Sequence, residues 1–117
     1  MVKIKRAYDP PDPSDGYRVL VDRLWPRGLG KEAAQVDEWR PDIAPTNVLR
    51  VWFAHDTEKW AEFQVRYRNE LKATGRFVEL EKLAARAKRE TVTLLFGARD
   101  RERNHAAVLR EILEELS

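Results

Sequence analysis

Cysteine is absent from this 117-residue chain, which excludes disulfides, thiolate nucleophiles and thiolate-held metals. Serine is nearly absent: only Ser14 and Ser117 occur, and neither sits in a nucleophile elbow. His55 and His105 are the only histidines, 50 residues apart and without metal-ligand spacing, so no metal or cofactor is expected. No glycine-rich phosphate loop is present; Arg27-Gly28-Leu29-Gly30-Lys31 lacks the strand-to-helix setting such a loop needs. No apolar run approaches the roughly 20 residues of a membrane helix. The opening residues, MVKIKRAYD, contain no signal-like apolar stretch, so the cytoplasm is the expected location and no membrane partner is expected. A strong excess of one charge is also missing. The 22 basic side chains face 20 acidic ones, a net of +2, without the basic stripe of a strong nucleic-acid binder.

What is present suffices for one core. Hydrophobic residues make up 43%, including four Trp, four Phe and three Tyr, enough apolar surface to offset the entropy of ordering the chain. The 36% of charged residues fall between apolar positions rather than in blocks, as on a solvated surface. The length matches a single domain over 1–117; oligomeric state is not legible.

Val2–Ala7 alternates apolar and basic residues and reads as a strand near an edge, where lysines discourage pairing with other chains. The proline-rich run Asp9–Gly16 halts regular structure. Tyr17–Val21 ends in three consecutive apolar residues, the mark of a central strand covered on both faces. Lys31–Arg40 is ambiguous, with room for a helical turn and a short strand around Val36–Trp39. Thr46 or Asn47 can cap a short helix through Phe53, and Asp56 or Thr57 the next. Trp60, Phe63, Tyr67 and Leu71 mark one face of a helix over Glu58–Lys72, and Phe77–Lys88 carries a similar face. Thr91–Phe96 is the clearest strand, and a last helix is expected from about Arg101 to Leu116. This order predicts an α/β fold: a three-layer sandwich with a small, mostly parallel sheet flanked by helices. The short link between the first two strands leaves an antiparallel pair open.

Ligands of open α/β sheets gather beyond the carboxyl ends of the strands. Two segments leave strands there, Asp22–Gly28 and Gly97–His105, and they share one edge if the second and last strands are parallel neighbours. Arg23, Arg27 and Arg99 offer planar, permanently charged forks for phosphate or carboxylate. The start of the last helix adds free N–H groups. Trp25 could stack on a ring. Asp22, Asp100 and His105 are the candidate proton carriers, and His55 and Asn104 complete the ligand-binding candidates. Each has a plainer alternative: Asp22 as a backbone acceptor, Asp100 as a helix cap, Trp25 as packing over the sheet end. Trp39 and Trp52 could line a cleft or close the core.

The run Tyr8-Asp9-Pro10-Pro11, followed by Gly16-Tyr17-Arg18-Val19-Leu20-Val21-Asp22-Arg23-Leu24-Trp25-Pro26-Arg27-Gly28, resembles the YeaO-like family of uncharacterised proteins, within the domain of unknown function 488 group. Trp52-Phe53 with His55-Asp56, Val92–Leu95 and Asn104-His105-Ala106 extend the resemblance over essentially the whole chain. Longer relatives carry an Asp-Val-Arg segment after one strand and a Cys-His-Arg segment after the last. Asp22-Arg23 and Asn104-His105-Ala106 stand in those places, the latter without the cysteine and arginine. The resemblance implies no reaction. Some relatives carry a uroporphyrin methyltransferase label, but this chain has no methyl-donor loop to match it.

Two functions from different classes follow. One is a domain that binds a small anionic or phosphorylated ligand, a nucleotide or nucleic-acid component, with hydrolase or transferase activity as an extension. The alternative is a non-catalytic nucleic-acid or protein interaction module, against which the low net charge counts.

Overall fold

The computed structural model describes residues 1–117. Four parallel strands form one sheet: β1 (Val2–Arg6), β2 (Tyr17–Leu20), β3 (Glu38–Trp39) and β4 (Val92–Phe96), in the spatial order β1-β4-β2-β3. The last strand is therefore inserted between the first two. That insertion resolves the direction of β1: it runs parallel to β2 with β4 between them, and the proline-rich link Ala7–Gly16 crosses a sheet face to make this possible. β4 is buried along its whole length and β2 nearly so, as two-sided coverage requires.

Alternation assigns the faces. Ile4, Val19, Leu94 and Phe96 lie on one face under α3 (Trp60–Ala73), α4 (Phe77–Ala87) and α5 (His105–Leu116), where the main core forms with Phe63, Tyr67, Leu80 and Leu109. Each fully buried Leu or Phe here contributes roughly 1.5–3 kcal/mol. The aromatic stripe of α3 is thus core: Phe63 stacks on Phe53 with ring centres 4.3 Å apart, and Phe53 ends the short helix α2 (Asn47–Phe53).

The opposite face is thinner. Leu20, Leu95 and Ala7 form a small cluster there, joined by Trp25, Leu29 and Val36 from the segment around α1 (Lys31–Ala34). Beside it lies a polar core. Asp15, 1% exposed, accepts from Lys5 and Arg18, with Lys3 at 3.4 Å; Arg18 also donates to the Ala34 and Gln35 carbonyls. Burial by itself would raise the Asp15 carboxyl, but the Asp12 N–H, Lys5 and Arg18 outweigh it and hold it at about 2. Gly16 permits the crossover to re-enter the sheet: its φ is +63°, and a Cβ would sit 2.2 Å from the Thr91 carbonyl oxygen.

Helix boundaries follow capping chemistry. Thr46 accepts from Leu49 N–H and starts α2; Asp56 caps a turn of 3-10 helix ahead of α3, which delays that helix to Trp60. α5 starts at His105 rather than near Arg101, because Asp100 accepts from the Glu102 and Arg103 N–H groups and forms its own turn. Asn104 is then the cap: its Oδ1 accepts from Ala107 N–H and its Nδ2 donates to the Asp100 carbonyl. No helix is long and apolar enough to cross a membrane.

Candidate functional site

Because β2 and β4 are parallel neighbours, the chain leaves both at the same edge, and a cavity of about 420 Å³ opens there. Its walls come from the β2 exit (Asp22–Arg27), the β4 exit with the start of α5 (Gly97, Ala98, Asn104, His105), and residues of the stretch from Ala44 to His55 around α2, with Tyr8 after β1 and Phe63 of α3 completing the lining.

Asp22 and His105 meet at the floor. Asp22 Oδ2 accepts the Gly97 N–H at 2.9 Å, which ties the two strand exits together. The approach depends on glycine, since a Cβ at residue 97 would lie 2.8 Å from that oxygen. His105 Nε2 lies 3.0 Å from the Val21 carbonyl oxygen and 3.0 Å from Asp22 Oδ1. Both are acceptors, so Nε2 carries a proton. The hydrogen bond runs to Val21, and Asp22 Oδ1 is the one buried side-chain oxygen without a hydrogen-bond partner. His105 stands in the first position of α5, fixed by the Asn104 cap behind it. Tyr67, fully buried beneath, donates to the Ile43 carbonyl; burial first, then the charges of Glu70 and Asp22, pushes its hydroxyl well above the ordinary tyrosine range despite Arg23.

The cations are held differently. Arg23 donates through Nε to the Pro45 carbonyl at 2.9 Å and through Nη2 to the Ala44 carbonyl at 3.2 Å. Arg50 donates through Nε and Nη2 to Asn47 Oδ1, at 3.3 and 2.8 Å. Neutral oxygens orient these guanidinium groups without cancelling their charge. The Arg27 side chain makes no hydrogen bond or ion pair; only its carbonyl is used, accepting from Tyr8 Oη at 2.7 Å. None of the three has a carboxylate partner, whereas Arg18, Arg40, Arg68 and Arg101 do.

The wall that anchors Arg23 is itself braced. Tyr67 holds Ile43, Arg23 holds Ala44 and Pro45, and Glu70 accepts from both the Thr46 N–H and its hydroxyl. On the other side, Arg6 donates to the Gly97 and Ala98 carbonyls and fixes the β4 exit.

Of the residues picked out by sequence, Asp22, Arg23, Trp25, Arg27, His55, Asn104 and His105 line this cavity. Arg99 and Asp100 do not: Arg99 is exposed outside the lining, and Asp100 serves the turn before α5. Hydrogen bonds from the Glu102 and Arg103 N–H groups hold its carboxyl below the usual range. The α5 start is also less open than its position suggests, since Asn104 already occupies the Ala107 N–H. Trp25 has its indole N–H bound to the Leu29 carbonyl at 2.7 Å and meets Trp39 edge-on at 5.5 Å. Trp39 donates to the Asp22 carbonyl outside the cavity, and Trp52 lies under Arg66 and beside Lys59. His55 reaches the mouth on strained backbone: it and Ala54 have φ of 57° and 44°. Sequence reasoning missed Arg50, Pro45, Phe53 and Phe63, which reach the site only because α2 and α3 pack across the sheet end.

A family model described as the inactive DUF488-N3 subclade matches residues 1–117. The uncharacterised protein YeaO of Escherichia coli is 43% identical over 115 residues, which is 98% of either chain. Uncharacterised proteins of Mycobacterium tuberculosis and Mycobacterium bovis are 43% identical over 112 residues, 96% of this chain and 92% of theirs. No solved structure matches. With its whole length matched and 43% of its residues shared with YeaO, the chain belongs to the YeaO-like DUF488 family, in the subclade described as inactive.

Proposed function

We propose that this protein binds a small anionic ligand in the cavity beyond β2 and β4, and that it holds the ligand without transforming it. The observation that carries this reading is the set of three guanidinium groups, Arg23, Arg27 and Arg50, that line one cavity without a carboxylate ion-pair partner. Two are pre-oriented by neutral oxygens, so little side-chain freedom is lost on binding.

Binding without turnover is favoured by what surrounds the anion. The lining offers no serine, threonine, cysteine or lysine as a nucleophile. Asp22 is committed at Oδ2 to Gly97 and has Oδ1 shut in against His105, while the His105 Nε2 proton is given to Val21. Asp22 and the Nε2 of His105 are thus engaged in closing the sheet end. The description of the family as an inactive subclade agrees with that reading.

The test is a thermal-shift titration with inorganic phosphate at low ionic strength. The unliganded melting temperature should be unchanged in Arg27→Ala, whose exposed side chain makes no hydrogen bond or ion pair. The stabilisation by phosphate should be lost in Arg27→Ala and Arg50→Ala and kept in Arg99→Ala. Equal phosphate responses in all four proteins would sink the proposal.

A further inference from the structure

The cavity carries more than a preference for negative charge; we infer that its ligand is a phosphomonoester dianion bearing a flat ring, of mononucleotide size. This rests on the anion-binding reading above and narrows it in two ways.

The first is charge. Three arginines and one aspartate line the cavity, a net of two positive charges with the histidines neutral. The single carboxylate is not a free acceptor, because Oδ2 is bound to Gly97 and Oδ1 is buried against His105. The Asn104 side chain is likewise spent on Ala107 and Asp100, and Tyr8 on the Arg27 carbonyl. Apart from the two neutral histidines, the side chains left to a ligand are therefore the arginine donors. A dianion with three terminal oxygens matches two surplus charges and several N–H forks. A phosphodiester or a simple carboxylate supplies one charge and fewer oxygens.

The second is size and surface. About 420 Å³ lies within the range of sites for organic ligands, and a bare phosphate would leave most of it unfilled. The remaining wall is apolar: Trp25, Pro26, Pro45, Phe53 and Phe63 all line it. Trp25 is held in place by its N–H bond to Leu29 and by Trp39 packed nearly perpendicular to it, so it is an ordered aromatic ring in the lining. A ring attached to the phosphate would cover that surface, and a ring stacked on an aromatic side chain adds about tenfold or more in affinity.

The measurement is calorimetric titration at about pH 8, where a phosphomonoester is fully dianionic. The probes are adenosine monophosphate, methyl phosphate and cyclic adenosine monophosphate. Adenosine monophosphate should bind about tenfold or more tighter than methyl phosphate, which keeps the charge and lacks the ring. It should exceed cyclic adenosine monophosphate by a similar factor, since that probe keeps the ring and loses one charge. Arg27→Ala should weaken adenosine monophosphate by about tenfold or more. Equal affinity for adenosine monophosphate and methyl phosphate would overturn the ring and leave the anion site standing. Equal affinity for the cyclic probe would overturn the dianion. No binding of any probe would overturn this inference and the anion-binding reading together.

Discussion

A methyl group on Gly97 would come within 2.8 Å of Asp22 Oδ2, on the oxygen that accepts the Gly97 N–H. Gly97→Ala must therefore push the carboxylate off its only firm partner, at a cost of about 1–3 kcal/mol, and should lower the melting temperature and weaken phosphate binding together. Arg23 and Arg27 separate in the opposite sense. Arg23→Ala removes two hydrogen bonds to the Ala44–Pro45 wall and should destabilise by about 1–3 kcal/mol in denaturant titrations, whereas Arg27→Ala should lie within about 0.5 kcal/mol of wild type. In the sequence these two residues look alike, as do Arg50 and Arg99. Position after a strand pointed to Arg99, yet it is Arg50, carried in by α2, that lines the cavity. Residue type and spacing show that a cation is nearby; they do not show what anchors it or which way the loop turns.

Elements were legible where a period was long and caps were strong. The α3 and α4 faces follow from their apolar spacing, and Thr46 caps α2 as its side chain allows. The start of α5 is not legible because Arg101–Asn104 resembles a first helical turn, while Asp100 gathers the Glu102 and Arg103 N–H groups into a separate one. Asn104→Ala should cost about 1–2 kcal/mol through the lost cap and should loosen His105, the next residue, which chemical denaturation and the His105 ring signals in NMR would report. The end of α2 holds the reverse case. Ala54 and His55 sit in the left-handed region, where a Cβ costs roughly 1–2 kcal/mol per residue. Ala54→Gly relieves that strain at the helix end and should raise stability by about 0.5–1 kcal/mol in the same assay, after the greater freedom of glycine in the unfolded chain is counted.

At the scale of the molecule, the α/β character followed from two doubly covered strands and several amphipathic helices, and β2 and β4 do lie side by side. The insertion of β4 between β1 and β2 was not legible, because pairing partners distant in sequence leave no local trace. The crossover this forces buries Asp15 among Lys3, Lys5 and Arg18, and its folded value of about 2 lies below the ordinary 3.8. The resulting stabilisation, on the order of 2 kcal/mol, is complete above about pH 4 and is lost as the pH falls through about 2. Stability measured across that window should fall in the wild type and fall less steeply in Asp15→Asn. What the cavity does is decided by where an anion lands. The most direct measurement is a two-dimensional NMR titration with inorganic phosphate that follows the Nε–H signals of the arginines and the backbone amides. The signals of Arg23, Arg27, Arg50 and the Gly97 amide should shift together and saturate with one affinity. Shifts spread evenly over exposed cations such as Arg99 and Arg103, or none at the cavity, would contradict the assignment of this cavity as the binding site.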